Sequence, residues 1–210
     1  MAALKTTTCP VRIGITQRRW PAGVHSNAHD GLDTGWSDWF DQHWHGTQFL
    51  AIPNFQDSAR VVPYFEGWGL QGLVLSGGGD VRDEPRLAVE TALLDHAKAE
   101  QLPVLGICRG MQMLHCYSDG ELATVPGHVG QIHSVRVCAD SYETNSWHEL
   151  GIRQLAPGWR ELATALDGSV EAMQHAELPW LGLMWHPERA NGAMPLALDW
   201  IQRNFKRVFT

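Results

Sequence analysis

Apolar positions along the chain follow two periods in turn. Val11 to Thr16 reads as a buried strand that runs into Gln17, Arg18, Arg19 and Trp20, a polar and aromatic loop. Leu32, Trp36, Trp39 and Phe40 then recur at helical spacing up to His43, and residues 49–52 form a second strand that stops at Pro53. Asp57 is placed to cap a helix carrying Val61, Val62, Tyr64 and Phe65 to Trp68. Leu73 to Leu75 is the next strand, ending in Ser76-Gly77-Gly78-Gly79-Asp80. The unit recurs as a helix over about 86–100, a strand over 103–107 and a helix from Arg109 onward. Strands and helices alternating over short connections predict the α/β class, with a parallel sheet covered on both faces. Past Gly120 the pattern shifts to strands near 133–138, 161–166, 169–174 and 180–184, closed by a helix over about 193–207.

The chain of 210 residues is long enough for one well-buried core, so a single domain over 1–210 is expected. With 44% hydrophobic and 19% charged residues it has the composition of a soluble globular protein, and no apolar run reaches the roughly 20 residues of a membrane span. The first residues lack the apolar stretch of a secretory signal, which makes a cytoplasmic location the expectation. A net charge of −7 argues against nucleic acid and anionic membranes as partners. The four cysteines have no metal-type CxxC spacing, and Cys9, Cys116 and Cys138 are expected to be inert thiols. His43-Trp44-His45 reads as a helix end rather than a metal pair, so neither a metal nor an organic cofactor is expected. Ten tryptophans are many for this length, and the sequence alone supplies no single reason for them.

Three segments carry candidate chemistry. Gly106-Ile107-Cys108-Arg109-Gly110 places a cysteine between a buried strand and the first turn of a helix. At such an elbow the sulfur is lifted off the sheet toward unpaired helix amides, which favour a thiolate, although a small buried hydrophobe explains a lone cysteine equally well. Trp185-His186-Pro187-Glu188 follows another apolar strand, so His186 can reach a thiol on a neighbouring elbow while Glu188 accepts the proton of its second ring nitrogen. A lone histidine among eleven would ordinarily be structural, but Pro187 stiffens the link between this pair. The glycine run after Leu75 lets main chain approach a reacting carbonyl, and the amides of Gly78 and Arg109 are the expected oxyanion donors.

Ser-Gly-Gly-Gly-Asp after a strand, Gly-Ile-Cys-Arg-Gly-Met-Gln and Trp-His-Pro-Glu together resemble the class I glutamine amidotransferase-like superfamily, from Ile13 to about Ala190. The resemblance implies its three-layer, flavodoxin-like fold, with a mostly parallel central sheet and added C-terminal strands. It also implies a Cys108, His186 and Glu188 triad, the Gly78 and Arg109 amides as oxyanion hole, and Gln112, His133 and Ser134 near the glutamyl group. Cys-Arg-Gly-x-Gln and Asn145-Ser146-Trp147-His148 are similar to the γ-glutamyl-γ-aminobutyrate hydrolase branch, peptidase family C26, in which Asn145 and His148 would line the pocket; a turn capped by asparagine explains them almost as well. Two departures are the shorter chain and the compressed loop over 80–85. These, with Ile15-Thr16-Gln17-Arg18 and Leu32-Asp33-x-x-Trp36, are more similar to the γ-glutamyl-CDP-amidate hydrolases of capsule and lipopolysaccharide modification. By that resemblance the partner is a small γ-glutamyl substrate, a cytidine nucleotide conjugate, with Arg18 and Arg19 on its phosphates; a solvated basic pair is the equal alternative. The competing functions are a glutaminase subunit passing ammonia to a synthase and a non-catalytic γ-glutamyl-binding protein, and a homodimer stays open.

Overall fold

The computed structural model describes residues 10–44, 46–192, 198–200 and 203. Its parallel strands are the apolar runs of the N-terminal half. They are β1 (Val11–Thr16), β4 (Thr47–Ile52), β5 (Gly72–Leu75) and β6 (Val104–Ile107). Every residue of β5 and β6 is buried, as a strand covered on both faces requires. Gln17 to Trp20, expected as a loop, instead contributes β2 (Arg18–Trp20), which pairs with β3 (His29–Gly31) in a small hairpin above the end of β1.

The intervening helices are α1 (Gly35–His43), α2 (Val61–Gly67), α3 (Arg86–Ala99) and α4 (Arg109–Tyr117). Asp57 caps a short 3-10 turn, Ser58–Arg60, ahead of α2, its side chain accepting the Ala59 amide. The chain then forms β7 (Ala123–Thr124), β8 (Val129–Val137), β9 (Asp140–Trp147), β10 (Leu150–Gly151), β11 (Trp159–Ala165), β12 (Val170–His175) and β13 (Trp180–Leu183). The closing helix expected over 193–207 lies outside the described residues except at 198–200 and 203, which are helical; Cys9 and His45 also lie outside them.

Nine strands make one sheet in the order β4-β1-β5-β6-β13-β12-β11-β8-β9. The first five run parallel and the remainder antiparallel. Because side chains alternate across a strand, the sheet feeds two cores. Leu73, Leu75, Val104 and Met173 join Val61, Phe65, Leu93 and Leu114 of α2, α3 and α4. Val74, Leu105, Ile107 and Ala172 face the other way, onto Trp36, Trp39 and Phe40 of α1 together with Trp44, Trp185 and Trp200. Five of the tryptophans are therefore packing material for this second layer, where they fill space beside the nine-residue helix α1. This is the three-layer α/β arrangement.

Candidate active site

The carboxyl ends of the adjacent strands β5, β6 and β13 meet at one rim, the usual position of a ligand site in a parallel sheet. Cys108 follows β6 directly. Its backbone is held at φ 52° and ψ −105°, in a region that costs a non-glycine residue about 1–3 kcal/mol. The flanking glycines make that turn possible. A Cβ on Gly106 would come within 2.6 Å of the Gly110 carbonyl oxygen, and one on Gly110 would strike the carbonyl of Leu75. The helix α4 thereby crosses β5 and β6 closely enough to bring its first amide, that of Arg109, beside the sulfur. First-turn amides have no acceptor within their own helix.

His186 lies just past β13, the strand paired with β6, so strand spacing alone brings it beside Cys108. Its Nδ1 lies 2.6 Å from Oε1 of Glu188, and the Cys108 sulfur is near enough to the ring to act on its pKa. Burial pushes the imidazole pKa down, but the hydrogen bonds from Cys108 and Glu188 and the charges of both outweigh it, leaving it raised to about 9. Asn145 holds the backbone of this segment. Its Oδ1 accepts the His186 amide at 2.8 Å, and its Nδ2 donates to the carbonyls of His186 and Ala190 at 2.9 and 3.0 Å.

The glycine run after β5 completes the rim. Gly77 packs against the imidazole with no space for a side chain, and Gly78 has φ 83°. Beneath this loop lies a buried ionic network that no motif in the sequence announces. Arg86 donates to the carbonyls of Ser76 and Gly78 at 2.6 and 2.7 Å and to Glu90 at 2.9 Å. The second oxygen of Glu90 pairs with the Arg109 guanidinium, which also donates to the carbonyls of Asp80 and Val81 at 3.2 Å. Thr16 donates to Glu90 at 2.7 Å and accepts the Ser76 amide. Burial lowers the Arg86 pKa to about 10 and, with the neighbouring charge of Arg86, holds Arg109 well below the ordinary guanidinium value. The network fixes the carbonyls of the glycine loop and so the direction its amides face.

A cavity of about 540 Å³ opens above the thiol, lined by Cys108, Gly78, Arg109, Gln112, His186, Arg18, Trp147, His148, Leu150 and Arg189 among others. Arg18 passes over Gly78 and stacks on Trp20 at 4.8 Å from the ring centroid. Arg19 is not brought to this cavity; it pairs with Asp83 at 3.5 Å. Nor is Ser134, which bonds to Ser141 across the β8 and β9 hairpin, or Asn145, whose amide is taken up by the His186 segment. His133 turns instead toward Glu171. Gln112 borders the cavity with Nε2 bonded to the Leu150 carbonyl at 2.7 Å, an oxygen shared with Nδ1 of His148 at 3.1 Å. Arg189 was not singled out from sequence. It is held by Asp33 at 3.0 Å and lies over Trp147, and only its place one residue after Glu188 could have pointed to it.

The Glutamine amidotransferase class-I family matches residues 46–200. The chain is 33% identical over 188 residues to the "Gamma-glutamyl-CDP-amidate hydrolase" of Campylobacter jejuni subsp. jejuni serotype O:2, covering 86% of this chain and 91% of that one. It is 27% identical over 162 residues to a glutamine-hydrolyzing GMP synthase subunit of Thermococcus kodakarensis, covering 73% of this chain and 82% of that one. A crystal structure of a glutamine amidotransferase from Thermotoga maritima shares the fold with a TM-score of 0.63 at 17% identity, over 94% of this chain and 84% of the other.

Proposed function

This chain belongs to the class I glutamine amidotransferase family, and from that premise we propose that it is a cysteine-dependent hydrolase of γ-glutamyl amide or phosphoramidate bonds. The observation that carries the reading is the placement of Cys108 on a positive-φ elbow against His186, whose far nitrogen is held by Glu188.

With the imidazole protonated, the sulfur attacks the γ-carbonyl carbon as a thiolate. The carbonyl electron pair moves onto oxygen, and the resulting charge is met by the amides of Gly78 and Arg109. As the pair returns, the C–N bond breaks, and the leaving nitrogen takes the proton of His186. Water then gives a proton to the same imidazole while its oxygen attacks the γ-glutamyl thioester, and the thiolate departs to free glutamate. Glu188 orients and charges the ring without reacting. Gln112, anchored through Leu150, borders the glutamyl end of the cavity.

The substrate we infer is a γ-glutamyl conjugate of a cytidine nucleotide. Two guanidiniums, Arg18 and Arg189, border the cavity together with Trp147, Gly78 and Gly79, which offers cations for phosphate oxygens and an aromatic face for a base, although Asp80 and Glu149 line it as well. The likeness to the glutamine-hydrolyzing part of a GMP synthase supports a second reading, a glutaminase that passes ammonia to a partner synthase.

Intact-mass analysis during turnover of glutamine, simple γ-glutamyl amides and a γ-glutamyl nucleotide amidate separates the two. The hydrolase reading expects a glutamyl adduct on the wild-type chain, none on Cys108→Ala, a loss of about 10³-fold or more in turnover, and a clear preference for the nucleotide. Turnover of glutamine only on addition of a synthase would favour the glutaminase reading. An unchanged rate in Cys108→Ala would overturn both.

A further inference from the structure

Behind the cavity wall, three histidines converge on one carboxylate. Glu171, on β12, is fully buried, and its Oε1 lies 3.5 Å from Nδ1 of His128 and 3.5 Å from Nε2 of His148; His133 Nε2 lies 3.6 Å from Oε2. The three ligand atoms of His128, His148 and Glu171 all lie within 4.8 Å of one another. Among the described residues Nδ1 of His128, Nε2 of His148, Nε2 of His133 and Oε2 of Glu171 have no hydrogen-bond partner, though His128, His148 and Glu171 are each more than nine-tenths buried. Burying so many unsatisfied polar atoms at one point is costly unless something joins them.

The outer contacts say what could. Nδ1 of His148 faces the Leu150 carbonyl at 3.1 Å and must donate there, so in the neutral ring the lone pair of Nε2 faces the Glu171 carboxylate. Two acceptors turned toward each other repel without a cation between them. Nε2 of His128 lies 3.4 Å from Asp167, so in a neutral ring that donates there Nδ1 is the lone-pair nitrogen on the inner side. Asp167 itself takes the hydroxyl proton of Ser169 at 2.6 Å, so that proton does not reach Glu171, 3.5 Å away. A histidine whose far nitrogen donates to a carboxylate or carbonyl is the usual outer shell of a metal ligand. The two spacings from Glu171 to the histidine nitrogens, 3.5 Å each, agree with such an ion, and the two nitrogens lie within 4.8 Å of each other. Bonds of about 2.0–2.1 Å at a tetrahedral angle place ligand atoms about 3.4 Å apart.

We propose that Nδ1 of His128, Nε2 of His148 and Oε1 of Glu171 bind a divalent transition-metal ion of the zinc type, with His133 beside its remaining position. The site is separate from the thiol and does not depend on the hydrolase reading. Its role is positional. His128 and His148 flank the hairpin of β8 and β9, whereas Glu171 is bonded through its carbonyl to the Met184 amide, two residues before His186. The ion would therefore fasten the wall carrying Trp147 and Leu150 to the strand end that carries the imidazole.

The test uses the tag-free full chain, grown with zinc, dialysed against metal-free buffer and analysed for metal by mass spectrometry. About one zinc per chain is expected, retained in Cys108→Ser and in the exposed-histidine control His25→Ala, and falling below about a tenth in Glu171→Gln and in His128→Ala. Chelator-stripped wild type should gain about 4 °C or more in Tm on adding equimolar zinc, and cobalt in its place should give the visible bands of a tetrahedral ion. If either cluster variant does not fold, the titration of stripped wild type decides alone. The proposal is overturned if wild type holds less than about a tenth of an ion after incubation with excess zinc and desalting and shows no thermal shift. It is overturned equally if the ion persists in both cluster variants or is lost from Cys108→Ser.

Discussion

An imidazole whose pKa is raised to about 9 is protonated through the neutral range, so His186 can serve as the acid that releases the amine. The sign of the pH dependence follows. As pH rises through about 9 the proton is lost and the rate falls, giving an alkaline limb there in kcat/KM. Glu188 is one of the groups that raise the ring, so Glu188→Gln should move that limb about a unit toward acid and lower kcat by about 10²–10⁴-fold, less than loss of the thiol. A limb left in place by this substitution would mean that some other group titrates. At this scale the meeting of Cys108 and His186 at one rim was legible because each directly follows an apolar strand segment, with Glu188 two residues beyond. Glu90 was not, since Arg86 and Glu90 read as an ordinary solvent-exposed pair one helical turn apart, whereas both are buried. Asn145 was legible as a polar residue of interest, but no spacing in the chain says that its amide grips the carbonyls of His186 and Ala190.

Between elements, the close crossing of α4 over β5 and β6 depends on Gly106 and Gly110. Gly110→Ala would press a methyl group into the Leu75 carbonyl, and backbone cannot yield there without moving the glycine loop that follows β5. We expect a loss of about 3 kcal/mol or more in urea unfolding, with Gly67→Ala, whose Cβ would meet nothing and whose φ is not positive, as a milder control. Equal stability of the two variants would show that the crossing has slack. The parallel strands and their helices could be read from sequence because runs buried on both faces are continuous and apolar. The strand β9 could not. Its residues Asp140 to Glu143 are exposed, and its buried end is Thr144, Asn145 and Ser146, of which the last two are held by hydrogen bonds rather than apolar contact. For the same reason the His128, His148 and Glu171 cluster, assembled from a loop, a strand end and a distant strand, left no local motif, and the expectation of no metal rested on the cysteine spacing and on His43 and His45.

Across the molecule, the network of Arg86, Glu90, Arg109, Thr16 and Ser76 joins α3, α4 and β1 to the loop after β5. Two guanidiniums share one carboxylate, and removing that charge leaves both buried without compensation. Glu90→Gln should therefore cost about 3–5 kcal/mol, and folded survivors should lose kcat more than KM as the glycine loop loosens. A variant as stable as wild type would show that the carbonyls of Asp80, Val81, Ser76 and Gly78 suffice for the two cations.

The position of β13 in the sheet bears on how the chain matures. It lies between β6 and β12, although it is the last of the thirteen strands to leave the ribosome. Until residues 180–183 are made, β6 and β12 each lack a strand partner on one edge, and Cys108 stands at the end of an incomplete sheet. The same insertion that joins the two halves brings His186 beside Cys108, so the pair can form only once this late strand is in place.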